Sequence, residues 1–465
     1  FSVFVDHMFL TTQAIFGVPV GVSATFVFLF ILLGAFLNAT KGGDFVIDFS
    51  MSLVGRATGG PAKVSVIASA LFGTVSGHSV ANVYGTGTFT IPLMRRMGYK
   101  PEFAGAVEAA ASSGGQIMPP IMGAAAFVMA EILGINYLEV CKAALIPALL
   151  YFLAVFASTH IEALKNNLHG LSKEETEPLI PIIKKGFYFF IPITVLITVL
   201  FLGYTPFRAA FLSIITLLVV AQVFPHTRLN LKGFYDGFLA GAKNGAVIAV
   251  CCGCAGIVVG VLDVTGLGIR SVAIITELSG GIFPLALVLV MLSCMVLGMG
   301  IPTTPAYIIA AMVAGPTLIQ FGVEPIATHM FVFYSALLSA ITPPVAMAAY
   351  AGASIAGADF MKTGVQASML GIVKFFIPYM FVYNTSLLMV GPVKGIVWSF
   401  VSAAIGTLAL SVAMGGYLFT SVKMLRRFVI GIAGILAFIP ELYTDSLGLI
   451  LIVFFVAQNY LESKK

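Results

Sequence analysis

The chain has 465 residues, of which 59% are apolar and only 9% charged, with a formal net charge of +5. So little charge cannot clothe a soluble surface, which excludes a soluble enzyme, and the length holds about a dozen helices of ~20 residues. The small basic excess bears on membrane orientation rather than on nucleic acid, and no nucleic-acid partner is expected.

Phe1 stands where an initiator methionine would, and no charged segment precedes an apolar stretch, so no signal peptide is visible and the sequence is consistent with a fragment. Apolar runs predict spans over 18–37, 139–160, 187–204, 206–225, 245–263, 364–390, 396–419, 428–440 and 443–460. They are continuous rather than alternating, so the predicted fold is an all-α polytopic membrane protein and not a barrel. Amphipathic stretches at 43–58 and 266–280 are expected to lie as interfacial arms.

Two apolar blocks are interrupted by polar residues. Residues 62–97 are cut at Ser76-Gly77-His78-Ser79-Val80-Ala81-Asn82, and 282–322 at Gly298-Met299-Gly300-Ile301-Pro302-Thr303-Thr304-Pro305. Each half is too short for a ~30 Å hydrocarbon core. Both blocks read as re-entrant hairpins with polar tips, because irregular backbone at that depth survives only against protein or a water-filled cavity.

A double proline follows each hairpin, in Ser112-Ser113-Gly114-Gly115-Gln116-Ile117-Met118-Pro119-Pro120 and in Ser339-Ala340-Ile341-Thr342-Pro343-Pro344. Placing Pro119 on Pro343 also places Ile117 on Ile341, Ala124 on Ala348 and Ala125 on Ala349, which marks an internal repeat of 224 residues. Prolines that merely kink two unrelated helices would not also bring a hairpin upstream of each. With the base of the first hairpin cytoplasmic, 19 of the 24 basic residues face the cytoplasm, all but Lys142, Arg208, Arg270, Lys374 and Lys394. The second hairpin then enters from the opposite side, giving two inverted repeats, each with a re-entrant hairpin and a discontinuous helix, as expected of a secondary transporter.

Breaking a membrane helix frees carbonyls and amides that lipid cannot satisfy. Carbonyls with hydroxyl and amide oxygens suit a monovalent cation, whereas half-helix N-termini suit an anion. The donors are Ser76, Ser79, Asn82, Ser112 and Ser113 in the first repeat and Thr303, Thr304, Ser339 and Thr342 in the second, with Gly77, Gly114, Gly115, Gly298 and Gly300 allowing close backbone approach. Any one hydroxyl is as readily a helix back-bond or cap; their concentration at four breaks is what points to a site.

Three ionisable residues lie at membrane depth, and each has two readings. His78 is a proton acceptor or substrate donor, or makes a plain structural bond. Glu108, about one turn before Ser112, polarises a cation site or satisfies the neighbouring hairpin. Lys374 is the deep cation for an anionic substrate, or snorkels to an interface. Asp263 and Glu131 read as interfacial. The five cysteines (Cys141, Cys251, Cys252, Cys254, Cys294) read as core thiols, since Cys251 and Cys254 have no second pair or histidine to complete a metal site. No nucleotide-binding loop or soluble domain is present, so an ion gradient must supply energy. An ion channel, or an intramembrane hydrolase using His78 with Ser76 or Ser79, are the competing readings.

The segments Phe72-Gly73-Thr74-Val75-Ser76-Gly77, Ala81-Asn82-Val83, Gly87-Thr88-Phe89-Thr90-Ile91-Pro92-Leu93-Met94, Val107-Glu108-Ala109, Gly298-Met299-Gly300-Ile301-Pro302-Thr303-Thr304 and Ile341-Thr342-Pro343-Pro344-Val345-Ala346 resemble the large membrane (M) subunit of tripartite ATP-independent periplasmic (TRAP) transporters. The resemblance spans nearly the whole chain and is greatest to the subgroup served by TAXI-type binding proteins. It implies an elevator-type importer of small organic acids (carboxylates) in the bacterial inner membrane. It also implies a periplasmic TAXI-type partner and a small membrane (Q) subunit, in this subgroup often fused N-terminally. No resident cofactor is implied; Na+ is the coupling ion by family, with H+ open because His78 stands where the subgroup often has serine.

On this resemblance the cation-binding residues would be Ser76, Gly77, Ser79, Asn82, Ser112, Gly115, Gly298, Thr303, Thr304 and Thr342. The substrate-binding residues would be His78, Ser113, Gly114, Gln116, Pro119, Gly300, Pro302 and Pro343, with His78, Glu108 and Lys374 in coupling. The expected organisation is a scaffold entry helix and arm at 1–61, the first hairpin and broken helix at 62–138, and scaffold helices at 139–245. A helix and arm at 246–281, the second hairpin and broken helix at 282–358 and C-terminal membrane helices at 359–465 complete it.

Overall fold

The computed structural model describes residues 5–225, 227–438 and 442–464. Among the described residues, eight helices are long and apolar enough to span a membrane. The chain enters through α1 (Val18–Ala39), followed by a short arm α2 (Gly42–Val54). The first hairpin is α3 (Gly60–Ser76) and α4 (Ser79–Arg96). A broken helix follows as α5 (Pro101–Gly115) and α6 (Ala124–Leu133). Four spans come next: α7 (Tyr137–Lys165), α8 (Leu179–Phe201), α9 (Pro206–Val223) and α10 (Leu231–Thr265). The second arm is α11 (Leu267–Leu278), and the second hairpin is α12 (Phe283–Leu297) and α13 (Thr303–Val313), trailed by the short α14 (Gly315–Gln320). The second broken helix is α15 (Pro325–Leu338) and α16 (Met347–Ala356). The remainder is α17 (Phe360–Leu370), α18 (Val373–Tyr383), α19 (Val393–Gly415), α20 (Met424–Leu436) and α21 (Leu442–Ser463).

The internal repeat extends well beyond the prolines. Ser79 opens α4 and Thr303 opens α13, 224 positions on; Pro101 opens α5 and Pro325 opens α15 at the same offset. Proline at a first helical position costs no hydrogen bond, which explains both starts. Between the hairpins lie the broken helix and four helices of membrane-spanning length, α7 to α10. The base of the first hairpin is clamped by the loop after α7: Leu171 N–H donates to the Gly55 carbonyl (2.8 Å), Arg56 to that of Thr176 (3.1 Å) and Arg96 to Glu175 (2.8 Å). Amide and hydroxyl bonds from Ser172, then the nearby Arg96, hold the Glu175 carboxyl below the usual carboxylate range.

With lipid as solvent, close backbone packing drives helix association, and small residues permit it. A Cβ on Gly73 of α3 would stand 2.4 Å from the Gly115 Cα of α5, and one on Gly352 of α16 would stand 2.4 Å from the Gly105 carbonyl oxygen. Both hairpin and broken helix are therefore docked onto α5 through glycine.

Three sequence expectations need correction. The span expected over 364–390 is present but lies earlier, over Phe360–Tyr383, as α17 and α18 joined through a turn at Gly371 and Ile372. The span expected over 428–440 is the 13-residue α20, too short to cross, with residues 439 and 440 outside the described residues. Of the cysteines, Cys141, Cys252 and Cys294 are buried, but Cys251 is half-buried and Cys254 exposed, because α10 is only partly covered by neighbouring helices.

Candidate functional site between the hairpin tips

The two hairpin tips come together around Gln116, in the first break. Its side-chain Nε2 donates to the Gly77 carbonyl (3.1 Å) and lies 2.9 Å from the Thr303 hydroxyl, which also reaches Gln116 Oε1 at 3.2 Å. One amide thus joins the tip of hairpin one, the break in α5–α6 and the tip of hairpin two. The tips can meet because both turn through a left-handed glycine, Gly77 at φ +61° and Gly300 at φ +77°. A Cβ at Gly77 would also meet the Met122 carbonyl oxygen at 2.7 Å.

Ser76, Gly77, His78, Gln116, Pro302, Thr303 and Thr304 share a cavity of about 30 Å³. That is room for something the size of a water molecule or a bare ion. A larger vestibule of about 560 Å³ adjoins it through Ser76, His78 and Pro302 and runs past Tyr84, Asn38, Lys41 and Asn244. His78 caps α4 by accepting the Ala81 amide on Nδ1 (3.4 Å), so the neutral ring carries its proton on Nε2 and can donate there.

Two predicted hydroxyls are buried without a partner: Ser76 Oγ at the first tip and Thr342 Oγ1 in the second break. Such orphans are costly unless something polar reaches them. Ser76 lines the small cavity with Thr303 and Thr304, a neutral oxygen set of the kind a monovalent cation takes, whereas Thr342 lines neither cavity. Other predicted ligands are engaged elsewhere. Ser112 donates to Glu108 at 3.3 Å and Asn82 Nδ2 to the Ser69 carbonyl at 2.9 Å. The Gly298 carbonyl accepts from Ser339 (3.0 Å), Gly115 packs on Gly73, and Gly114 packs on the Tyr151 ring. Ser79 is buried at the start of α4, while Pro119 and Pro343 each precede a second proline through a cis peptide bond. Pro343 rests against Gly364 of α17.

Glu108 makes the contacts of the second of its two readings. Its carboxylate is fully buried and accepts from Ser65 and Ser69 of α3 (2.6 Å each), Thr86 and Thr90 of α4, and Ser112 of its own helix. It is the hub that fastens hairpin one to α5. Among the described residues no buried carboxylate holds hairpin two, where the Tyr307 hydroxyl of α13 meets His329 Nδ1 of α15 at 2.7 Å. The Ser65/Ser69 and Thr86/Thr90 pairs were readable as i, i+4 hydroxyl stripes facing one partner, but only a tertiary contact identifies Glu108 as that partner. Lys374 neither snorkels nor reaches the tips. Its Nζ, fully buried, donates to the Ser113 carbonyl (3.2 Å) and hydroxyl (2.8 Å).

The model of the DctM component of tripartite ATP-independent periplasmic transporters matches residues 1–396. The sialic acid TRAP transporter large permease protein of Vibrio cholerae is 26% identical over 69% of this chain and 74% of its own length. The C4-dicarboxylate TRAP transporter large permease protein of Pseudomonas aeruginosa is 24% identical over 70% of this chain and 76% of its own. Against the sialic acid TRAP transporter permease protein of Haemophilus influenzae, 24% identical over 75% of this chain, the match spans about half of the relative, 55%. The chain belongs to the DctM component family of TRAP transporters, and is a multi-pass membrane permease rather than an enzyme.

Proposed function

We propose that the protein is a secondary active importer of small carboxylates in a bacterial inner membrane, with the pocket between the hairpin tips as its ion and substrate site. The observation that carries this reading is the Gln116 amide bonded at once to Gly77 of one tip and Thr303 of the other. An ion in the small cavity, drawing on Ser76, Thr303 and Thr304, would stiffen both tips. A carboxylate in the adjoining vestibule would then take the His78 Nε2 proton and the amides at the α4 and α13 N-termini. Each ligand favours the other by linkage. The vestibule volume of about 560 Å³ suits a small organic acid. It runs toward Lys41, which the distribution of basic residues assigns to the cytoplasmic side, so this conformation is one that releases substrate inward. The relatives named for sialic acid and C4-dicarboxylates support the substrate class.

Residues 62–138 and 282–358 would form the moving body of an elevator, with 1–61, 139–245 and 246–281 as scaffold and arms. A periplasmic binding protein, of the TAXI type, would deliver substrate from outside, and a small Q subunit would complete the permease. Sodium is the proposed coupling ion, and His78 at the tip makes protons the second reading.

Purified protein in proteoliposomes, given the partner binding protein and labelled substrate, is expected to show saturable uptake that needs the partner and an inward sodium gradient. Uptake driven by protons alone and abolished in His78→Ser would move the coupling to the second reading. Conductance without saturation or partner would replace the transporter by a channel.

A further inference from the structure

The first break holds a charge that the tip site does not use. In an unbroken helix the Ile117 amide would bond to the Ser113 carbonyl; here it bonds to Gly114 instead (3.0 Å), which leaves the Ser113 carbonyl for another donor. Lys374, 261 residues away on α18, supplies it at 3.2 Å, takes the Ser113 hydroxyl at 2.8 Å, and lies 5.2 Å from the centre of the Tyr151 ring. Tyr151 is itself held by donating to the Ala110 carbonyl one turn earlier (2.8 Å). Among the described residues no carboxylate lies within ion-pair distance of Lys374. Its partners are a freed carbonyl, a hydroxyl and a ring face, at the negative end of a half-helix. Those are the neutral oxygens a small monovalent cation would take.

The second repeat lacks this feature. Position 150 of α7 corresponds to Lys374 by the 224-residue offset and is leucine, fully buried. At the second break Ala340 N–H bonds the Leu337 carbonyl, the counterpart of Ser113 O (3.3 Å), while Thr342 Oγ1 stays unpartnered.

We propose that the Lys374 ammonium is a resident cation of the first break, occupying a carbonyl-and-hydroxyl position that would otherwise take an ion from solution. The second break, with no such lysine, draws its cation from the medium. The two halves of the site are therefore unequal: one is occupied by a lysine of the chain itself and one is filled in each cycle. This deepens the cation-coupled reading above and rests on it for its consequence, but its test does not.

Lys374→Ala and the wild type are melted in detergent in sodium, potassium, ammonium or choline chloride at one ionic strength, and bound radioactive sodium is counted per chain. The variant is expected to melt well below the wild type in choline, whose bulk cannot enter, and to recover most of that loss in sodium or ammonium. It is also expected to bind one more sodium per chain than the wild type. If Lys374→Ala is not recovered in folded form, Lys374→Gln, which keeps a donor for Ser113 without the charge, goes through the same series. An equal loss in every salt, an unchanged sodium count, or failure of both variants to fold even in sodium or ammonium would overturn the proposal. Because melting and sodium counting involve no transport, this outcome is independent of the uptake assay.

Discussion

Replacing Glu108 with alanine is expected to lower stability by about 3–5 kcal/mol, because several buried hydroxyls lose their acceptor together at about 1–3 kcal/mol for each one left unsatisfied. Four hydroxyls from the two arms of hairpin one, Ser65, Ser69, Thr86 and Thr90, would lose their common acceptor in a fully buried place. Water reaches that place poorly, since a Cβ on Gly87 would already stand 2.9 Å from Glu108 Cγ. Glu108→Gln keeps one acceptor oxygen and turns the other position into a donor that the hydroxyls can rotate to meet, so its loss should be smaller, about 1–3 kcal/mol. Thermal melting in detergent checks the order wild type, glutamine, alanine. A pure coupling role for Glu108 would instead abolish uptake in both variants and leave their melting points at the wild-type value.

Gln116→Ala should behave in the opposite way. It removes the bonds to Gly77 and Thr303 but leaves the Glu108 hub intact, so both hairpins stay docked while their tips lose the link between them. A loss of about 1–3 kcal/mol of site organisation corresponds to a roughly 5- to 150-fold rise in the coupling-ion or substrate concentration needed for half-maximal uptake. The melting point should change far less than in Glu108→Ala. Ion and substrate titrations of uptake measure the first quantity, and the melting curve measures the second.

The hairpins and breaks were legible because a polar stretch such as Ser76–Asn82 inside an apolar block has few physical outcomes in lipid. The repeat was legible because both copies keep the Ile-x-Pro-Pro register, and the helix starts at Ser79 and Thr303 extend it. The partners of ionisable groups were not legible, because a hydrogen bond between residues 374 and 113 leaves no periodic trace in either segment. Nor were the bonds of Asn82 and Ser112 to Ser69 and Glu108 legible from their place at a tip and a break. Asn38, near the end of α1, and Asn244, inside α10, line the vestibule, but a single asparagine in an apolar run does not reveal which cavity it faces. The short α20 was misread as a span because apolar composition alone cannot reveal how soon a helix ends.

The meeting of the tips can be tested by cross-linking. With the native cysteines replaced, Gln116→Cys and Thr303→Cys together put thiols on two side chains that touch in this structure although they lie 187 residues apart. Oxidation in native membranes is expected to form an intramolecular disulfide, stop uptake, and release it again on reduction. Failure of the pair to cross-link in any salt or substrate condition, with uptake untouched by the oxidant, would contradict a shared pocket between the two hairpins.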